Sequence, residues 1–135
     1  MTLVVDASVA IGWFVELARS DRAETILQSG ELLIAPDLIV AEIANTAWKF
    51  VNFEGLPVAA AEALVKEVAD NYFELVPSAV LRDRALAIAL ALRHSAYDCF
   101  YLALAEQRDA PLVTADDRLL RVCANTPFAK LVRAL

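Results

Sequence analysis

Leu3-Val4-Val5-Asp6-Ala7-Ser8 is the stretch from which the architecture follows. Three apolar residues, two of them β-branched, run unrelieved into a carboxylate. Such a run reads as a strand buried on both faces, of the kind found in the middle of a parallel sheet. Asp6 then falls at the strand's C-terminal end, where open α/β sheets place their ligands. A carboxylate there is either the N-cap of the next helix or part of a site. The rest of the chain has to discriminate.

Outward from this strand, apolar runs alternate with amphipathic stretches. Ala7 to Leu17 reads as a short helix capped by Ser8 or Asp6. A second helix opens at Ser20-Asp21 and stops near Ser29-Gly30, followed by a strand at Leu32-Leu33-Ile34-Ala35. Pro36-Asp37 starts a long helix to about Phe53, with Asp37 as its expected N-cap. Gly55 and Pro57 end that helix and start another, to about Asn71. Phe73-Glu74-Leu75-Val76 is a strand stopped by Pro77. A helix from about Ala79 to Arg93 is separated by a break at His94-Ser95 from one spanning Tyr97 to Arg108. Pro111 to Thr114 forms a further strand, Asp116 or Asp117 begins a last helix, and Lys130-Leu131-Val132 is an expected edge strand. The expectation is an α/β fold in one domain over residues 1–135. A short, mostly parallel central sheet of four to five strands is flanked on both sides by about seven helices.

Composition narrows the functional classes. Hydrophobic residues make up 59% of the 135 and mean hydropathy is +0.52. Yet the longest run free of Asp, Glu, Lys and Arg is Ala7 to Val15, far short of the roughly 18–20 apolar residues of a membrane span. The N-terminus has no basic region and enters a strand directly, so no secretory leader and a cytoplasmic location are expected. Cys99 and Cys123 have no CxxC spacing and read as reduced core residues. A net charge of −6 excludes a module that holds nucleic acid by bulk charge alone. It does not exclude a nucleic-acid enzyme, whose metal site needs clustered acids. The tail from Arg118 carries Arg118, Arg121, Lys130 and Arg133 and no acid, either as a solvated face or as a phosphate contact.

Most of the 18 acidic residues need no special account. Glu62, Glu67, Asp70, Asp83 and Glu106 fall at polar positions of amphipathic helices, near Lys66, Arg82, Arg84 or Arg108, where helical spacing allows ion pairs. Four acids are different. Asp6 ends a buried strand. Glu42 lies in Leu38-Ile39-Val40-Ala41-Glu42-Ile43-Ala44, and Asp98 in Ala96-Tyr97-Asp98-Cys99-Phe100-Tyr101-Leu102. Asp116 follows Leu112-Val113-Thr114-Ala115. Burying a lone carboxylate costs several kcal/mol or forces it to neutralise, and neither Glu42 nor Asp98 has Lys or Arg at i±3 or i±4.

A divalent cation is the simplest compensator, and Mg2+ or Mn2+ takes oxygen ligands of this kind. Zinc is disfavoured by one histidine and no paired cysteines. Ser8 and Thr114 each stand two positions from a strand-end acid, where a hydroxyl can orient a carboxylate. Asn45 follows Glu42 by three residues on the same helical face. Asp117 competes with Asp116 for the cap of the last helix. His94, at a helix break, reads as a C-terminal cap or an exposed turn. Trp13, Trp48, Phe50, Phe53 and Tyr101 read as core or interface, with the exposed aromatics of the Asp37–Phe53 helix suited to a dimer or partner surface. A haloacid-dehalogenase-like phosphatase also opens with a strand ending in Asp, but it wants a second Asp where Ser8 stands. A structure-specific DNA nuclease needs helical arches for which the chain has no room.

The set resembles the PIN-domain nucleases, and within them the VapC-type toxins of type II toxin–antitoxin systems. Val5-Asp6-Ala7-Ser8 is similar to the family's first motif. Pro36-Asp37-Leu38-Ile39-Val40-Ala41-Glu42-Ile43-Ala44-Asn45 is similar to the second, Tyr97-Asp98-Cys99-Phe100-Tyr101-Leu102-Ala103-Leu104-Ala105 to the third, and Val113-Thr114-Ala115-Asp116-Asp117-Arg118-Leu119 to the fourth. The resemblance implies a three-layer PIN-like fold and a Mg2+- or Mn2+-dependent endoribonuclease. Asp6, Asp98 and Asp116 would hold the metal, with Glu42 adding charge, and Ser8, Asn45, Thr114 and Asp117 would support them. It further implies a homodimer and a VapB-type antitoxin whose C-terminal segment covers the site. Arg118 and Arg121 are the candidate contacts to RNA. A solitary PIN nuclease outside any toxin pair, or a PIN-like module without catalysis, is the alternative.

Overall fold

A computed structural model describes residues 1–135. One sheet of five parallel strands organises it, in the order β3-β2-β1-β4-β5. The strands are β1 (Thr2–Val5), β2 (Leu32–Pro36), β3 (Glu74–Val76), β4 (Leu112–Thr114) and β5 (Val132–Ala134). Seven α-helices surround it: α1 (Ala7–Ala10), α2 (Ser20–Leu27), α3 (Ile39–Glu54), α4 (Val58–Glu67), α5 (Arg82–Leu92), α6 (Ala96–Arg108) and α7 (Asp117–Cys123).

The strand that opens the sequence lies at the centre of the sheet. Leu3, Val4 and Val5 are buried, pairing with β2 in the register Leu3↔Leu33 and with β4 in the register Val5↔Val113. The chain builds outward from β1 to β2 and β3, then crosses back over β1 to β4 and β5. The reversal puts a topological switch point at the C-terminal ends of β1 and β4. Asp6 follows β1 directly, and Asp116 follows β4 after Ala115.

Several local expectations are corrected. Ala7–Leu17 is not one helix. α1 ends at Ala10, a 3-10 turn covers Ile11–Trp13, and an irregular loop follows. Gly12 weakens the helix there, and the Ser20 hydroxyl closes the loop by donating to the Val15 carbonyl and accepting from the Leu17 N–H. Asp37 does not cap α3. The capping position belongs to Leu38 without a side-chain bond, while Asp37 accepts from the Ser78 N–H at 2.9 Å and its hydroxyl at 2.6 Å. The edge strand expected at Lys130–Val132 begins at Val132, because Ala129–Leu131 tightens into a 3-10 turn. Phe73 precedes β3, although its N–H still donates to the Leu33 carbonyl. Of the helix-surface acids, Asp83 pairs with its neighbour Arg82 within α5, while Glu106 of α6 pairs across to Arg84 of α5; Glu74 of β3 pairs with Arg108 of α6. Gly55 ends α3 at φ 73°, as its position predicts.

Cys99 and Cys123 are free and buried, and burial pushes the Cys99 thiol up to about 11. No helix is long and apolar enough to cross a membrane.

Candidate active site

The site grows from the switch point. Asp6 accepts at Oδ1 from the Val9 N–H at 3.3 Å, which makes it the N-cap of α1. The same oxygen accepts from the Ser8 hydroxyl at 2.5 Å, and Oδ2 from the Thr114 hydroxyl at 2.5 Å. The support continues into β4's exit. The Ala115 N–H donates to the Ser8 oxygen at 3.0 Å, and the Asp116 N–H to the Thr114 oxygen at 3.0 Å. Asp116 in turn caps α7, with Oδ1 accepting from the N–H groups of Arg118 and Leu119. The cap reading and the site reading of these strand-end acids are therefore compatible, because each function uses different lone pairs.

Only 7% of Asp6 is exposed. Burial pushes its carboxyl up to about 6, the hydrogen bonds from Ser8, Thr114 and Val9 pull it back, and the charge of Asp98 adds a further upward push.

Two helices bring the other acids. Glu42 sits in the first turn of α3 and Asp98 in the first turn of α6. Both helices start beside the sheet edge that carries Asp6. Burial pushes Glu42 up to about 7; a hydrogen bond from Tyr101 opposes this, and the charges of Asp6 and Asp98 reinforce it. The Tyr101 hydroxyl donates to Glu42 Oε1 at 2.6 Å. His94 Nε2 lies 2.6 Å from Asp98 Oδ2. Glu42 and Asp98 open onto a cleft of about 550 Å³, which Asn45, Thr46, Lys49, Ser95 and Tyr97 also line.

Of the residues singled out by sequence, Ser8 and Thr114 bond directly to Asp6, and Asn45 shares the cleft with Glu42. Asp117 is elsewhere: it is exposed and pairs with Arg19 at 3.0 Å. Arg118 and Arg121 are exposed on α7 and do not line the cleft, whose cation is Lys49. Three participants escaped the sequence reading. His94 is neither a bare cap nor an exposed turn, since its side chain is only 5% exposed. Its spacing of four from Asp98 was the available signal. Tyr101 is core, as expected, but its hydroxyl reaches Glu42 across 59 residues. Lys49 lies two helical turns after Glu42 and so on its face.

The donor set defines what could occupy the site. None of the four acids forms an ion pair with Lys or Arg. Burial is the main cause of the raised carboxyls of Asp6 and Glu42, and the charge of Asp98 adds to it at both. The available ligands are oxygens, which suits a hard cation. The acids do not converge into a cage of three or more direct ligands. An oxygen donor set without such a cage suits a cation that keeps several of its waters, as Mg2+ ordinarily does.

Comparison with known proteins agrees with the architecture. The PIN domain pattern matches residues 3–125. Ribonuclease VapC3 from Pyrobaculum aerophilum is 36% identical to this chain, over 88% of this chain and 92% of that protein. The crystal structure of PAE2754 from Pyrobaculum aerophilum superposes with a TM-score of 0.72 at 26% identity, covering 98% of this chain and 83% of that one. The four stretches built around Asp6, Glu42, Asp98 and Asp116 all fall inside the matched region. The chain belongs to the PIN domain family, on its VapC-type branch.

Proposed function

We propose that the protein is a Mg2+- or Mn2+-dependent endoribonuclease, the toxin of a toxin–antitoxin pair. The observation that carries this reading is the grouping of Asp6, Glu42 and Asp98 near the switch point with no Lys or Arg partner, where burial first and the neighbouring acids second raise the carboxyls of Asp6 and Glu42. Membership of a family that includes Ribonuclease VapC3 supplies the substrate class.

Asp6, Asp98 and Asp116 would hold the cation, and Glu42 would add negative charge and orient water. A bound divalent ion lowers the pKa of water and neutralises charge developing on a phosphate. The chain's own residues provide the rest. Ser8 and Thr114 fix both oxygens of Asp6, so the carboxylate needs no reorganisation when a ligand arrives. Tyr101 fixes one oxygen of Glu42 and leaves the other free to accept from a water. Lys49, exposed in the cleft, is placed to meet a phosphate of the bound strand. Hydrolysis by an activated water requires no covalent nucleophile, and there is no Ser–His or Cys–His pair at the site.

A homodimer and a VapB-type antitoxin belong to the same proposal. Trp48 and Phe53 of α3 are 55% and 72% exposed and stack edge to face. Val40 and Val58 are exposed nearby in sequence. An apolar surface of this kind favours a protein partner over permanent contact with water.

The biological reading has a direct test. Expression of the chain alone is expected to arrest growth and deplete intact RNA, and Asp98→Asn to relieve both. Co-expression of a small protein encoded beside it is expected to restore growth. Arrest by the Asp98→Asn protein as strong as that by the parent would refute the nuclease-toxin reading.

A further inference from the structure

We propose that His94 is a positioning residue of the acid site, holding one oxygen of Asp98 in place and so setting how tightly the site takes a divalent cation. The proposal rests on the reading of the acids as a metal site and assigns that site a residue outside its carboxylates.

The geometry is specific. His94 Nε2 lies 2.6 Å from Asp98 Oδ2. A carboxylate oxygen accepts and an imidazole N–H donates, so the contact is a hydrogen bond from the ring to the carboxylate. The side chain is 5% exposed, although His94 stands in the short break between α5 and α6, where a connecting residue ordinarily faces water.

The backbone of the break is built to place this ring. Arg93 takes the left-handed conformation, φ 54° and ψ 46°, at the end of α5. That position ordinarily selects glycine. The turn lets the His94 N–H donate to the Ala89 carbonyl at 3.2 Å, satisfying the end of α5 through the main chain. The imidazole is left free of capping duty and lies one helical turn before Asp98. It is the chain's one histidine.

The consequence is physical. An aspartate with free rotation scatters its oxygens over several positions, and an ion must freeze one of them. With Oδ2 held by His94, Oδ1 is presented in a fixed place before the ion arrives. Asp6 is held in the same manner by Ser8 and Thr114, and Glu42 by Tyr101. Such outer partners typically change metal affinity by about 10–100-fold when removed.

The test is calorimetric titration of Mn2+ into the metal-free full-length protein, with RNA cleavage followed against Mn2+ concentration. His94→Ala is expected to weaken Mn2+ binding by about tenfold or more. The Mn2+ concentration for half-maximal cleavage should rise by the same factor, and cleavage at saturating Mn2+ should be largely recovered. His94→Gln, whose amide N–H reaches a similar distance, should restore affinity to within about threefold of the parent, and the shorter His94→Asn should not. Should His94→Ala fail to fold, the Gln and Asn variants decide between them, and equal Mn2+ affinities for the two would overturn the proposal. So would a folded His94→Ala protein that binds Mn2+ as the parent does. Asp98→Asn separates the two levels of failure. If it weakens Mn2+ binding while His94→Ala does not, only the role of His94 falls. If Asp98→Asn also binds as the parent does, the metal-site reading falls and takes this proposal with it.

Discussion

Asp6→Asn is expected to lower RNA cleavage by a factor on the order of a thousand, the scale at which removing one preorganised electrostatic group acts, without lowering the melting temperature at pH 8. The two halves of this expectation have one cause. Asp6 is buried at the sheet's centre, and its carboxyl sits near 6 because burial penalises the charge. At pH 8 the folded protein nevertheless holds it ionised. Asparagine has nearly the same shape and removes that charge. Its side-chain oxygen still accepts from Val9 and Ser8, keeping the cap of α1, since asparagine caps as well as aspartate. The Thr114 hydroxyl, which donates to Oδ2, has only to turn and accept from the new amide. Activity disappears with the charge while the fold loses nothing. Thermal denaturation and a cleavage assay on the same sample check both halves. A variant that melts several degrees lower, or cleaves within tenfold of the parent, would identify Asp6 as a structural cap rather than a working carboxylate.

The metal-free protein is expected to lose stability as pH rises from about 4 to 7, opposite to the usual acid-labile behaviour. The folded-state carboxyls of Asp6 and Glu42 stand at about 6 and about 7, against ordinary values of 3.8 and 4.5. Between those limits the folded chain retains protons that the unfolded chain has released. Unfolding therefore releases protons, and stability falls with rising pH. The cost is absent below about pH 4 and complete above about pH 7. Across the whole window Asp6 accounts for about 3 kcal/mol, roughly half of it between pH 5 and pH 8. Glu42 adds a smaller amount because solvent screens it. Asp37, Glu74 and Glu106 have lowered carboxyls, through Ser78, Arg108 and Arg84. Their stabilisation is already complete by about pH 5 and does not mask the effect. Urea denaturation in EDTA should give a lower midpoint at pH 8 than at pH 5, and Mn2+ at pH 8 should restore much of the difference. Equal midpoints, or a higher one at pH 8, would show that burial does not raise these carboxyls.

The fold was legible where one physical cost dominated. An unbroken Leu3-Val4-Val5 run has no stable place except between two other strands, and β1 occupies it. Alternating apolar runs and amphipathic stretches lead directly to a parallel sheet with seven helices. The placing of the acids at strand ends and helix starts was legible for the same reason: a charge in an apolar stretch demands an explanation. What escaped depended on partners remote in sequence or on unusual backbone. Asp37 turns to Ser78, 41 residues away, so its local resemblance to an N-cap misled. The Tyr101 hydroxyl could not be assigned to Glu42 without knowing that α3 and α6 meet. His94 stood within helical reach of Asp98 by spacing, but the left-handed Arg93 that folds the ring inward leaves no mark in the sequence. The tail carries the more conspicuous run of basic residues, yet Lys49 is the one that lines the cleft.

A cleavage assay on single-stranded RNA with the purified, partner-free protein, in EDTA and then across a Mg2+ and Mn2+ titration, with Asp98→Asn alongside, decides whether the acids at the β1–β4 switch point form a divalent-cation site that cuts RNA. No cleavage is expected in EDTA, cleavage should rise with added cation, and Asp98→Asn should show none at concentrations that saturate the parent. Cleavage in EDTA at the cation-loaded rate, or an Asp98→Asn protein as active as the parent, would rule out a metal-dependent site at these acids.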